Sequence, residues 1–292
     1  MVPRLLRGTR HGTSPHWSKD HDETTSKPSL QHANAPHRAP ARYDAKPPIT
    51  TQLARPDNVH LMPTVILVRH GRSAANTSGT LAGRTPGVKL DETGIKQAEA
   101  VAQRLAELPL AAIVTSPLER CKQTAAAIAK LHDGLRPATD RRLTECGYGD
   151  WTGQKIATLA KDPLWAVVQQ HPSAVTFPNG ESMRGMQQRA VDAVRAHDAA
   201  LAKSHGDGAL WVAVSHGDVI KAIVADALGQ HLDTFQRIVV DTASTTIITY
   251  TATRPFLVRL NDSGSELASL IPKPPAKGKP KNQSSDAVVG GR

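Results

Sequence analysis

The chain has 292 residues, with 36 Lys and Arg against 26 Asp and Glu and a net charge of +10. That length suits one large domain or two small ones. The charge suggests nucleic acid, but it divides into about +4 before residue 62, about +2 after residue 261 and about +4 between them. With only three Phe there is no stacking platform for bases, so basic tails on a nearly neutral domain are expected, and no nucleic-acid partner.

Residues 1–61 are rich in Pro, His, Ser, Thr and Arg and lack apolar periodicity. Such a segment cannot bury enough surface to offset its ordering entropy, so it reads as a disordered extension. Met62 stands just before the first core strand, where a compact domain would naturally begin. The extension is therefore read either as a tail or as sequence upstream of the true start. The basic N-terminus has no following apolar stretch, so no secretory signal is expected. No apolar run reaches membrane-spanning length, and the expected location is the cytoplasm, with no membrane partner.

The first strand signal is Val65-Ile66-Leu67-Val68, a continuous apolar run of the kind buried on both faces. A Gly-rich loop follows. Ile95, Ala98, Val101, Leu105 and Leu108 then recur at helical spacing over about 92–108. Asp91, Glu92 and Thr93 read as helix-start residues. Ala111-Ala112-Ile113-Val114 is a second strand. After it Ser116 is expected to cap a helix, with Pro117 at the first position and Glu119 completing a capping box. Leu118, Cys121, Ala125, Ile128 and Leu131 form its apolar stripe, which makes Cys121 a buried thiol. Cys146 is given no role, and two cysteines form no disulfide framework.

Further helices are expected at about 154–170 and 182–203. The second carries Met183, Met186, Ala190, Val194, His197 and Leu201 on one face. Leu210-Trp211-Val212-Ala213-Val214 is a third apolar strand, followed by a helix over Val219–Leu228. Two β-rich stretches, about 237–250 and 256–260, close a domain spanning 62–261. Residues 262–292, rich in Pro, Lys, Gly and Ser, read as a second disordered tail. Strands alternating with helices predict an α/β fold, with a mostly parallel sheet covered on both faces.

In such a sheet, ligands bind beyond the carboxyl ends of the strands. The first strand is followed by Arg69 and His70, the second by Arg120, and the third by Ser215-His216-Gly217. Two Arg and two His thus converge on one sheet edge. Guanidinium groups bind phosphate oxygens in fixed bidentate geometry, and a neutral imidazole can attack phosphorus in line. An acid is still needed for the leaving alkoxide. Glu145, before the 154–170 helix, is the candidate, with Asp150 as the alternative.

Arg69-His70-Gly71, with Asn76 downstream, resembles the opening motif of the histidine phosphatase (phosphoglycerate mutase-like) superfamily. Ser116-Pro117-Leu118-Glu119-Arg120 resembles its second motif. The Glu145 segment, Asn179-Gly180-Glu181-Ser182 and Val214-Ser215-His216-Gly217 resemble the rest, in family order. The resemblance implies a three-layer α/β/α sandwich. It implies His70 as the phosphorylated nucleophile, and Arg69, Arg120 and His216 as the phosphate pocket. It also implies Asn76 as a phosphoryl contact, and Glu145 as acid and then base. Where the family has Glu or Gln, this chain has Arg72. Arg72 and Arg84 are expected to hold a second anionic group of the substrate, with a solvent-facing Arg72 as the alternative.

No cofactor is implied, and no metal: the two His have a complete role without one, and no Cys/His cluster has zinc spacing. The expected activity is hydrolysis of a small phosphorylated metabolite, a phosphomonoester. The alternatives are a phosphomutase and a non-catalytic phosphate-binding protein. The helix before the Glu145 motif ends near His132, which leaves no room for the clamp insertion of cofactor-dependent mutases. Oligomeric state is left open.

Overall fold

The structure is a computed structural model that describes residues 61–264. The expectations for residues 1–60 and 265–292 lie outside the described residues. Six strands form one sheet in the order β3-β2-β4-β1-β5-β6. They are β1 (Leu61–Arg69), β2 (Leu110–Thr115), β3 (Ala138–Thr139), β4 (Leu210–Ser215), β5 (Thr245–Thr251) and β6 (Phe256–Asp262). The pairs β1–β4, β2–β4 and β2–β3 are parallel, while β5 and β6 add an antiparallel edge.

The helices are α1 (Ala74–Ser78), α2 (Glu92–Leu105), α3 (Glu119–Ala129), α4 (Ile156–Leu159), α5 (Pro163–Gln170), α6 (Met183–His205) and α7 (Gly217–Ala227). Alternation along the buried strands divides the core. Ile66, Val68, Ile113, Val212 and Val214 pack with Val101 and Leu105 of α2 and with Cys121, Ala125 and Ile128 of α3. Val65, Leu67, Val114 and Ala213 face the opposite way, with Met186 and Val194 of α6 and Ile220 and Ile223 of α7. This is the expected three-layer α/β/α sandwich.

Several local expectations are corrected. The 154–170 segment is two helices, because Asp162 accepts from Leu164 N and Pro163 starts a new first turn. Ser116 does not cap α3. The helix starts at Glu119, and Ser116 Oγ is engaged by His216 Nε2 at 2.8 Å. Ile95 and Leu131, placed on buried stripes by spacing, are exposed. The 237–250 stretch becomes strand only at Thr245, after a 3-10 turn over Leu232–Arg237. β6 continues to Asp262, where Arg104 Nη2 pairs with its carboxylate at 2.8 Å.

The loop carrying His70 is pressed onto the start of α2. A Cβ on Gly94 would collide with the Arg72 carbonyl, and one on Gly71 with the Gly94 carbonyl. Asp91 caps α2 through Gly94 N at 2.8 Å, as its helix-start assignment requires.

Asp198 on α6 offers a stability test. It is buried, its Oδ1 accepts from Trp211 Nε1 at 3.1 Å, and its Oδ2 has no partner among the described residues. Desolvation raises its pKa to about 6. The folded state therefore holds a proton that the unfolded state has released, and stability falls as pH rises through about 6. Asp198→Asn keeps the acceptor for Trp211 and removes the charge. Urea unfolding at pH 8 should show a gain of about 1–3 kcal/mol. The gain should shrink at pH 4.5 and vanish below the ordinary carboxyl value of 3.8, and an equal difference at pH 8 and below that value would rule the charge out as its cause.

Candidate active site

Parallel pairing of β1 and β4 sets Arg69 opposite Ser215, so His70 and His216 leave the sheet side by side. Their rings lie 5.2 Å apart at 63°. Thr115 of β2 ends at the same edge, opposite Val214, and Arg120 enters from the first turn of α3. The spatial convergence expected from three strand ends is thus present.

His70 is almost completely buried, and its Nδ1 lies 2.7 Å from Gly71 O. A carbonyl can only accept, so Nδ1 carries the proton and Nε2 presents a lone pair. Arg120 Nε donates to that Nε2 at 3.2 Å. Burial, and then the charges of Arg120 and Arg69, hold the His70 pKa well below the usual histidine value. Gly71 N donates to Thr124 Oγ1 at 3.1 Å, which ties the loop to α3.

Arg120 links both imidazoles. Its Nη2 donates to His216 Nδ1 at 3.3 Å and to Gly83 O at 2.9 Å. Its Nη1 is buried with no partner among the described residues. His216 then carries its proton on Nε2 and donates it to Ser116 Oγ. Cys121 Sγ lies 3.4 Å from the same Nε2, so the buried thiol backs the ring. Burial raises the Cys121 pKa to about 12, which leaves it inert as a nucleophile. Arg69 is fully buried beneath the site and donates to Val240 O at 2.6 Å.

Glu145 closes the cluster. Its Oε2 lies 3.8 Å from His216 Nδ1, and its Oε1 accepts from Cys146 N at 3.0 Å. Burial, reinforced by the charge of Asp218, raises its pKa to about 7. Asp218 in turn accepts from Tyr148 Oη at 2.8 Å and lies 3.7 Å from Lys221 Nζ. Asp150, the alternative acid, is exposed and accepts from Asn179 Nδ2 at 3.0 Å.

His70, Asn76, Arg120, Glu145, Tyr148 and Lys155 line one cavity of about 390 Å³. Asn76 reaches it from α1, where its Oδ1 accepts from Ser73 N and Oγ in a capping box. Only its Nδ2 is left to donate to a ligand. The structure does not bring Arg72 or Arg84 into this cavity. Arg72 Nε pairs with Asp91 Oδ2 at 2.8 Å, and its Nη2 donates to Thr93 Oγ1. Arg84 Nε donates to the Glu145 carbonyl at 2.9 Å, and its Nη2 pairs with Glu181 at 2.8 Å. Each guanidinium is drawn off by a carboxylate.

The cation at the rim is one that spacing did not single out. Lys155 Nζ donates to Ser78 O at 2.8 Å and Thr80 Oγ1 at 3.0 Å, and it makes no ion pair with any described residue. Nothing in its local sequence marks it, because a backbone bridge between Thr80 and Lys155 creates the contact. Among the described residues no cluster of three or more His, Cys, Asp or Glu could hold a metal ion. Nor is any helix among them long and apolar enough to cross a membrane.

Residues 65–263 match the family model described as histidine phosphatase superfamily, branch 1. The chain belongs to the histidine phosphatase superfamily. As a member of it, the chain is 31% identical over 205 residues to phosphoserine phosphatase 1 of Hydrogenobacter thermophilus, covering 68% of this chain and 92% of that protein. It is 36% identical over 129 residues to the fructose-2,6-bisphosphatase TIGAR of Xenopus tropicalis, covering 43% of this chain and 46% of the relative. The chain thus spans about half the length of this second relative. The fold superposes on a mycobacterial glucosyl-3-phosphoglycerate phosphatase with a TM-score of 0.61 at 26% identity, covering 68% of this chain and 98% of that one.

Proposed function

We propose that the chain is a phosphatase that hydrolyses small phosphomonoesters through a phosphohistidine on His70. The observation that carries this is a neutral imidazole and a carboxyl near half-protonation at pH 7 in one cavity, beside an arginine with an unused donor. Arg120 Nη1 and Arg69 neutralise the phosphoryl oxygens, with Asn76 Nδ2 as a further donor. The His70 Nε2 lone pair forms the P–N bond as the ester P–O bond breaks. Glu145 gives its proton to the departing alkoxide. Its carboxylate then takes a proton from water, whose oxygen attacks phosphorus. The P–N bond breaks, and inorganic phosphate and neutral His70 are restored.

Hydrolysis is favoured over phosphoryl return to a second substrate position by the connection after α3. Between Ala129 and Glu145 there is only β3 and one 3-10 turn, with no segment to fold over the cavity. The relatives named as phosphatases support the same reading.

The substrate body is read from the rim. Ala75, Leu81, Ala82 and Ile156 suit a short carbon frame, and Lys155 suits an anionic group at its far end. Phosphate release should therefore be faster, in kcat/KM, from phosphoserine or 3-phosphoglycerate than from glycerol phosphate or phosphoethanolamine. Lys155→Met should raise KM for the first pair about 10-fold or more and leave the second pair nearly unchanged. Equal effects on both pairs would remove Lys155 from recognition. No phosphate release from any ester, p-nitrophenyl phosphate included, would overturn the phosphatase reading itself.

A further inference from the structure

We propose that Glu181, acting through Arg84 and Arg189, is a positioning residue that holds Glu145 at the reacting centre. The proposal rests on Glu145 being the acid. Glu145 sits in a stretch without regular structure, between the 3-10 turn Arg141–Leu143 and Gly149. Among the described residues its own carboxylate contacts only Cys146 N and the neighbourhood of His216. The placement of that carboxyl is therefore set by the backbone beneath it.

The backbone is gripped from both sides of Cys146. The Glu145 carbonyl accepts from Arg84 Nε at 2.9 Å and from Arg189 Nη2 at 3.1 Å. Both guanidiniums converge on Glu181. Arg84 Nη2 reaches its Oε2 at 2.8 Å, while Arg189 Nε and Nη2 take Oε1 at 2.6 Å and Oε2 at 2.9 Å. The same carboxylate accepts from Gly147 N at 3.1 Å, and Glu181 N donates to Gly147 O at 2.6 Å. Arg189 also donates from Nη1 to Arg142 O at 2.6 Å, within the 3-10 turn that precedes Glu145. Arg189 belongs to α6, whose Met183, Met186 and Ala190 are core residues. The turn is thus anchored to a rigid element by charge-assisted bonds, and these outlast neutral ones.

The arrangement gives work to two features that the chemistry left unused. One is the Asn179-Gly180-Glu181-Ser182 segment. The other is Arg84, which its place in a loop expected to border the pocket had assigned to the substrate. A Cβ on Gly180 would collide with the Gly147 carbonyl, so the segment can lie against the turn only with glycine there.

A structural prop and a positioning device differ in which reaction they affect. If Glu181 places the acid, its loss slows leaving-group departure only where the leaving group needs a proton, and the first turnover reports that step apart from the later hydrolysis of the phosphohistidine. Glu181→Ala should lower the first-turnover rate of leaving-group release from glycerol phosphate about 10- to 100-fold, and change that from p-nitrophenyl phosphate less than about 3-fold. KM should stay near the wild-type value for both esters. Arg189→Lys should restore more kcat on the alkyl ester than Arg189→Ala. Arg84→Ala removes one of the two donors from a half-exposed position. It provides the same readout should Glu181→Ala fail to fold. Glu145→Gln measured in parallel reports on the underlying reading: it should show the same leaving-group selectivity, only larger. Equal losses on both esters in Glu181→Ala, with Glu145→Gln still selective, would overturn the positioning role alone. A rise in KM without a fall in kcat for Arg84→Ala would overturn it too, returning that residue to substrate binding.

Discussion

His70→Ala is expected to abolish turnover of every phosphomonoester while leaving the fold intact. The two effects separate because His70 is packed at the rim of the core and not within it. Its Nδ1 bond to Gly71 O is local, and the Gly71–Thr124 contact does not pass through the ring. Alanine removes the imidazole proposed to form the P–N bond, so the residual rate should approach that of the uncatalysed reaction. With wild-type enzyme, an acid quench within the first turnover should capture acid-labile phosphate on His70. Phosphate on another residue, or activity surviving in His70→Ala, would refute the mechanism. The acid limb of kcat/KM reports protonation of His70 in the free enzyme. Burial and the two guanidiniums depress that pKa, so the limb should fall below about pH 6.5.

Glu145→Gln should lower kcat/KM, which ends at leaving-group release, about 100- to 10,000-fold on alkyl phosphates and much less on nitrophenyl phosphate. An alkoxide cannot leave without a proton, whereas nitrophenolate can. The pH profile gives a second, independent check. Burial raises the Glu145 pKa to about 7, so its acid form is lost as pH rises through neutrality. Wild-type kcat/KM on an alkyl ester should therefore fall on the basic side near pH 7. Glutamine does not titrate, so the variant should lose that basic limb and keep the acid limb of His70. Equal losses on both ester types, or an unaltered basic limb, would show that Glu145 is not the acid.

The alternation of apolar runs with helical spacing was enough to indicate a parallel sheet covered on both faces. The polar residues after each of its three central strands were enough to bring Arg69, His70, Arg120 and His216 to one edge. Those inferences rest on backbone periodicity and on the rule that parallel strands share a carboxyl edge, and both are local properties of the chain. The direction of a loop side chain is different. Arg72 was drawn to Asp91 and Arg84 to Glu181, 19 and 97 residues away in sequence, while Lys155 reached the cavity through a bridge to Thr80. Ser116 looked like a helix cap until His216, 100 residues later, took its hydroxyl. Burial likewise belongs to the folded chain: a lone Glu145 in a turn looks like a solvated carboxylate, and only packing beside Asp218 under the cavity gives it a proton at neutral pH. Local sequence determined the elements and their order. Tertiary structure decided which charges were cancelled and which were left facing the substrate, because each cancellation depends on a partner that only the fold brings within 3 Å.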